Sequence, residues 1–327
     1  MRQVEQARTP AVSGTLAPVF FLGVIKSRVP GRTGCVTGEV FGVKKTVLAS
    51  MRNAVAALGM LGLVCSQAAA QVGGPPPDAK DARPTPRWSD GHPDLGNGKG
   101  AWLPNIIDDI SGNGGGAKDA STIERQKKML DGKVEVPYLP WSKKAYEESE
   151  AILVKDDPEG YCLPPGIPRM MNTPFPMQMY QLPDRILQVY EGGAHMWRVI
   201  YMDGRAHPKG DLLNPTYLGH SVGHWEGDTL VVDAVGFNER TWLDSSGHRH
   251  SEQLHVIERY TRTSENVLHY QATIDDPGAY TKPWSVGWKI AWMPNMEPLE
   301  YVCQELNKDV VENGGHMVGK AKDDKRQ

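Results

Sequence analysis

Eight histidines fall between positions 195 and 269: His195, His207, His220, His224, His248, His250, His255 and His269. Imidazole is the side chain whose ordinary pKa lets it exchange protons near neutrality. A histidine beside a buried carboxylate can therefore move protons on a bound ligand without a cofactor. His207, His220 and His250 are the candidate bases, and Asp203, Asp233, Asp244 and Glu258 the candidate orienting or acid groups. Arg198 and Arg205 could hold a carboxylate or enolate oxygen. The same carboxylates have plain structural uses: Asp203-Gly204 is a turn former, and Glu258 and Arg259 suit cross-strand ion pairs.

Two other chemistries compete. His248-x-His250, with His220, could offer three imidazoles to zinc or iron. No HExxH or comparable ligand spacing accompanies them, so the first expectation is no metal and no cofactor. Ser221, in GHSVG, mimics the nucleophile elbow of α/β-hydrolases. That elbow needs a strand-to-helix turn, whereas hairpin residues follow Ser221. No GxGxxG or P-loop cradles a phosphate either. Aromatic side chains form the remaining signal: Trp225, Trp242, Trp288 and Tyr190 are candidates to stack on a planar ligand, with core packing as the alternative.

The elements that must position these groups are mainly β. In GHSVGHWEGDTLVVDAVG, residues 221–225 and 229–236 flank a tight turn at Gly227, which reads as a hairpin. Its second arm puts Leu230, Val232 and Ala234 on one face and Asp233 on the other, an inward carboxylate if that second face lines a pocket. Eight strands are expected, at 186–191, 195–202, 221–225, 229–236, 254–262, 267–274, 284–292 and 299–306. Their short connections imply antiparallel neighbours. Eight such strands suit a closed, lipocalin-like antiparallel barrel over 184–316, with a two-sheet sandwich as the alternative.

Upstream, 71–120 reads as a flexible Pro/Gly-rich lead-in, and 121–183 as two short helices and a Pro-rich strap. Ser121-Thr122-Ile123-Glu124 is a capping box for the first helix, and Ser142 could cap the second, whose face would carry Ala145, Ser149, Ile152 and Leu153. The strap is too rich in proline for a helix or a central strand, and its methionines suit either a pocket lining or a cover over the core.

Several runs together resemble a widespread family of uncharacterised exported bacterial proteins. They are DGRxHP from Asp203, GHSVGxWEGDTLVVD from Gly219, Gly236-Phe237-Asn238, Trp242-x-Asp244, His250-Ser251, Glu258-Arg259, and TIDDP from Thr273. The likeness spans roughly 162–305. His224 departs from it, standing where the family pattern has an arginine. No activity attaches to that family, so the likeness transfers no catalytic residue.

The address is export. Met51-Arg52-Asn53, an apolar run and Ala68-Ala69-Ala70 make a signal peptide over 51–70, cleaved after Ala70, which leaves 1–50 as a misassigned upstream extension and 317–327 as a charged, disordered tail. Residues 1–70 hold eight of the 36 basic and two of the 39 acidic side chains, so the mature chain carries 28 against 37, a net charge near −9. Such a surface repels phosphate backbones, and no later run is long enough to span a bilayer, so nucleic acid and stable membrane insertion are not expected. Cys162 and Cys303, the two cysteines of the mature chain, should pair in an oxidising periplasmic or extracellular compartment.

Taken together, the residues point to a barrel that binds a small apolar or aromatic molecule, with the balance tipped towards a cofactor-free isomerase, lyase or hydrolase. A non-catalytic carrier and a metal-dependent hydrolase are the alternatives.

Overall fold

The structure, a computed structural model, describes residues 83–114, 120–152 and 155–306. The upstream extension, the signal peptide with its cleavage site, and the charged tail lie outside the described residues. Nine strands close a barrel in sequence order: β1 Gly100–Leu103, β2 Met177–Leu182, β3 Arg185–Tyr190, β4 Trp197–Tyr201, β5 His220–Glu226, β6 Thr229–Val235, β7 His255–Ser264, β8 Val267–Asp275 and β9 Trp284–Pro294, which returns to β1. The closed ring excludes the sandwich and corrects the strand count from eight to nine.

An odd ring cannot alternate direction all the way round, so at least one neighbouring pair must be parallel. That pair is β4 and β5, in register at Ile200 with Ser221 and Tyr201 with Val222; the other pairs are antiparallel. The chain between them, residues 202–219, is long enough to return to the starting end. The barrel is therefore mixed, not wholly antiparallel.

Both unexpected strands come from segments that read as irregular. β2 sits between Pro176 and Pro183, which bracket the ladder without interrupting it. β1 is only GAWL, and it lies so close to β9 that a Cβ on Gly100 would meet the Met293 carbonyl oxygen at 2.6 Å. The lead-in from residue 83 is thus far from structureless: Leu95, Trp102, Ile107 and Ile110 are buried, and the Gln181 side chain bonds the Leu95 amide and the Pro93 carbonyl. One expected strand, 299–306, does not form; the edge of β9 it would need is taken by β1 and a bridge from Leu130, and the segment ends in a helical turn, Cys303–Leu306.

Two helices lie between β1 and β2: α1 Ala120–Met129 and α2 Pro140–Ala151. α2 starts one turn earlier than a Ser142 cap would place it. Leu139 is the N-cap, Pro140 begins the helix, and the Ser142 hydroxyl instead donates to the Leu139 and Ala279 carbonyls. Its buried residues are Ser142 and Ser149, while Ile152 just beyond is exposed, so the helix is tied down by hydroxyls more than by an apolar stripe.

The strand pattern sorts the side chains. Leu230, Val232 and Ala234 face inward and are fully buried. The inward face of β9 carries Val286, Trp288 and Ile290. Met170, Met171, Met177 and Met179 are also buried, so the strap covers and fills the core. The registers place the chain leaving β1, the approach to β2, the β6–β7 loop and the β8–β9 loop at one end of the barrel. The opposite end has the short connections, such as the two-residue turn Gly227-Asp228, where Gly227 takes φ +59°. Long loops gathered on a rigid scaffold are where binding sites usually form. A disulfide, Cys162 to Cys303 with Cα atoms 5.6 Å apart, pins the loop-end strap as the sequence predicts. Among the described residues no helix is long and apolar enough to cross a membrane.

Candidate functional site

Polar groups of catalytic type collect in three places. The first is the barrel axis, where alternate residues of β3, β4 and β7 point inward. Arg198 pairs with Glu258, both essentially inaccessible. Arg198 also donates to the Ser221 hydroxyl at 2.9 Å and the Gln188 carbonyl oxygen at 3.3 Å. Tyr260 and Tyr270 donate to the other Glu258 oxygen at 2.6 and 3.0 Å, and Tyr190 donates to Gln188 at 2.7 Å. Burial pushes all three tyrosine hydroxyls up, so they stay protonated donors. Trp288 closes the layer, its indole N–H donating to the Met171 carbonyl. The carboxylate that Arg198 holds is thus Glu258, and Ser221 is a hydrogen-bond acceptor inside a strand.

The second place is the outer wall. Asp233 lies on the solvent face of β6, not inside the barrel, because Val232 and Ala234 occupy the inward positions. It accepts from His207 Nε2 at 3.1 Å and His255 Nε2 at 2.8 Å, and His207 Nδ1 lies 2.8 Å from His220 Nδ1. His220 stacks on Tyr201, over which the Arg205 guanidinium sits at 3.8 Å while pairing with Asp203. Burial and the neighbouring His207 and Arg205 lower the His220 pKa. Three predicted groups, His207, His220 and Asp233, therefore meet, joined by His255, but they meet on an open face of the wall.

The third place is the loop end. Asp244, fully buried, accepts from the Ile110 amide at 3.0 Å, the Ser246 amide at 3.1 Å, the His248 amide at 3.3 Å and His248 Nδ1 at 2.7 Å. It ties the chain leaving β1 to the β6–β7 loop. Asp109, almost as buried, accepts from the Ser111 amide and hydroxyl. One ligand-capable atom from each of Asp109, Asp244 and His248 falls within 4.8 Å of the others. The His248 ring lies among Tyr138, Tyr146 and Trp284, with centroids 5.7, 4.7 and 5.8 Å away. Burial opposes its charge, yet Asp244 and Asp109 outweigh burial and hold its pKa above the ordinary imidazole value.

Beside this cluster is a depression of about 310 Å³, lined by Ile107, Glu159, Arg169, Asn172, Phe175 and Tyr301 among others. Arg169 is fixed by both oxygens of Asp157, at 2.7 and 2.6 Å, and by Glu159 at 2.8 Å. Burial, reinforced by Asp157, raises the Glu159 carboxyl above its ordinary range although Arg169 pulls the other way, since Asp157 takes the two-pronged grip on the guanidinium. The Asn172 side-chain N–H₂ is buried and unpartnered, and Phe175 and Tyr301 form a tilted pair 4.8 Å apart. A wider depression of about 660 Å³ lies against Tyr138.

The remaining sequence candidates are dispersed. His250 accepts from the Thr241 hydroxyl at 2.8 Å and donates to the Ser251 carbonyl at 3.0 Å, and burial lowers its pKa, so it is a neutral, fully bonded core histidine. His220, His248 and His250 occupy three different surroundings; among the described residues the ligand atoms that converge belong to Asp109, Asp244 and His248. Trp288 and Tyr190 are inside the barrel. Trp225 stacks on His92 at 4.5 Å, and Trp242 carries the Arg249 guanidinium 3.9 Å above its ring, so the four aromatics line no common pocket.

Sequence reading missed Asp109, which sits in the glycine-rich lead-in, and Glu159, Arg169 and Asn172, which sit in a segment read as a helix stop and a strap. The one usable signal was Asp157-Pro158-Glu159 followed by Arg169, a charge cluster inside an otherwise apolar, proline-rich run. Compared with known proteins, the chain matches no family model, no curated protein and no solved structure.

Proposed function

We propose that the protein binds a small, largely apolar or aromatic molecule in the 310 Å³ depression at the loop end of the barrel and acts on it by cofactor-free acid–base chemistry, with Glu159 transferring the proton. The observation that carries this reading is the joining of an apolar and aromatic wall to a buried carboxyl and an unpartnered amide donor. Small-ligand sites are mostly apolar concavities with a few converging polar groups. Asn172 would hold a ligand oxygen, Phe175 and Tyr301 would flank a ring, and Glu159, kept protonated by its surroundings, would donate. The Arg169 charge would then steady the carboxylate that remains. A single carboxyl able to give and retake one proton suits isomerisation or elimination.

The test is a thermal-shift screen of small aromatic and alicyclic ketones, alcohols and esters against the full chain, followed by product analysis on each hit. The reading expects a hit that Phe175→Ala weakens, and turnover lost in Glu159→Gln with binding retained. Binding with no turnover in the wild type would make the protein a carrier. Hits indifferent to Phe175→Ala and Asn172→Ala would remove the site.

A further inference from the structure

We infer that Asp109, Asp244 and His248 form a buried site for one divalent transition-metal ion that fastens the chain leaving β1 to the β6–β7 loop. This goes beyond the proposed ligand depression and does not depend on it. The convergence of the three ligand atoms within 4.8 Å supplies the geometry.

An independent observation comes from His248 itself. Its Nδ1 is committed to Asp244 at 2.7 Å, which fixes the tautomer and leaves Nε2 as the free coordinating atom. A carboxylate holding the far nitrogen of a ligating imidazole is the usual support of a metal-bound histidine. That Nε2 is buried and has no hydrogen-bond partner, although the residue is fully inaccessible. Neither protonation state resolves this: a neutral ring leaves a buried lone pair without a donor, and a charged ring leaves a buried N–H without an acceptor. The neighbouring Ser246 hydroxyl is unpartnered in the same way.

Charge points in the same direction. Two buried carboxylates face one imidazole, so the group keeps a net negative charge even with His248 protonated. The closest guanidinium, Arg169, is already matched by Asp157 and Glu159. Buried charge left unbalanced is costly, and a cation removes the imbalance. A donor set of two carboxylates and one imidazole, without thiolate, suits zinc, manganese or ferrous iron better than calcium or magnesium. Because the ligands have no open face, the ion would be structural and would load as the two loops close.

The experiment uses the full chain with its disulfide intact, unfolded in urea with a chelator, then refolded alone, with Zn²⁺ alone and with Mn²⁺ alone. Bound metal is counted by elemental analysis after dialysis, and Tm is measured. The expected result is about one equivalent, with Tm several degrees above the metal-free protein, and affinity reduced by roughly 100-fold or more in Asp109→Asn and His248→Ala. His220→Ala, on the outer wall, should leave both readouts unchanged. Less than a tenth of an equivalent with no Tm change would overturn the site, as would full binding retained in both ligand variants or lost in His220→Ala. Should the ligand variants not fold, a Co²⁺ titration of wild type decides: visible bands of nitrogen and oxygen ligation saturating at one equivalent support the site, and a featureless spectrum refutes it.

Discussion

The barrel axis and the loop end are both buried, and both hold charged side chains, yet their hydrogen-bond accounts differ. On the axis every polar side-chain atom of Gln188, Arg198, Ser221, Glu258 and the three tyrosines escapes the set of buried atoms without a partner. Of the ten such atoms among the described residues, eight lie at the loop end: on Asn105, Asp156, Asn172, Trp242, Ser246, His248, Arg249 and Trp284. A satisfied network is what a scaffold needs, since it specifies one packing. Unsatisfied buried groups are kept where something else is to be bound. The same residue types, arginine facing glutamate on the axis and aspartate facing histidine at the loop end, therefore do different work because only one set is closed.

The sharpest way to break that contrast is to open the closed network. Arg198→Ala leaves the Glu258 carboxylate buried with two tyrosine donors and no countercharge, and should cost about 3–5 kcal/mol of stability in urea denaturation followed by circular dichroism. The double variant Arg198→Met with Glu258→Leu should recover most of that loss, since an apolar pair of similar volume needs no partner. A loss from Arg198→Ala below 1 kcal/mol would mean the axis is wet and the contrast is false. Next in size is the disulfide. Cys162→Ser with Cys303→Ser releases a crosslink across 141 residues and should cost about 2–4 kcal/mol. Hydrogen exchange should quicken in residues 157–173 and stay slow in β6 to β8. Equal loosening of both regions would show that the loop end is no separate unit.

How much of this could be read from sequence follows the same division. Strands with strict alternation, such as β6 and β7, were legible because one face must be apolar, and Trp288 and Ile290 marked β9 in the same way. β1 was not, because four residues carry no period, and β2 was hidden by the prolines at its two ends. The parallel pairing of β4 with β5 is a consequence of closure with nine strands, which no local pattern encodes. At the sites, Asp233, His207 and His220 were legible as a group because they share a hairpin and its approach, though not which side of the wall they occupy. Asp109 and Glu159 join their partners across 135 and 10 positions of irregular chain, to Asp244 and Arg169, where spacing carries no signal.

Smaller effects sharpen the comparison at the loop end and on the outer wall. Glu159 has its carboxyl raised above the ordinary 4.5 by burial, so its contribution to stability is fully present below that value and is lost as pH rises through the raised one. Glu159→Gln should therefore match wild type at low pH and equal or exceed it at pH 7, read as Tm across that range. A Glu159→Gln variant less stable than wild type at pH 7 would mean that the ion pair with Arg169 holds the strap and that Glu159 belongs to the scaffold. His220 is the opposite case and the smallest. Its pKa is lowered from 6.5 by burial and by His207 and Arg205, so its contribution is present above 6.5 and is lost as pH falls through the lowered value. His207 and His255 share Asp233, which remains to receive protons when His220 cannot, so only part of the acid sensitivity rests on His220. His220→Gln should narrow the gap in Tm between pH 7.5 and 5.5 without changing ligand binding at the loop end. A gap left unchanged would show that the outer imidazoles protonate freely and that the wall, like any solvated surface, stores no strain against acid.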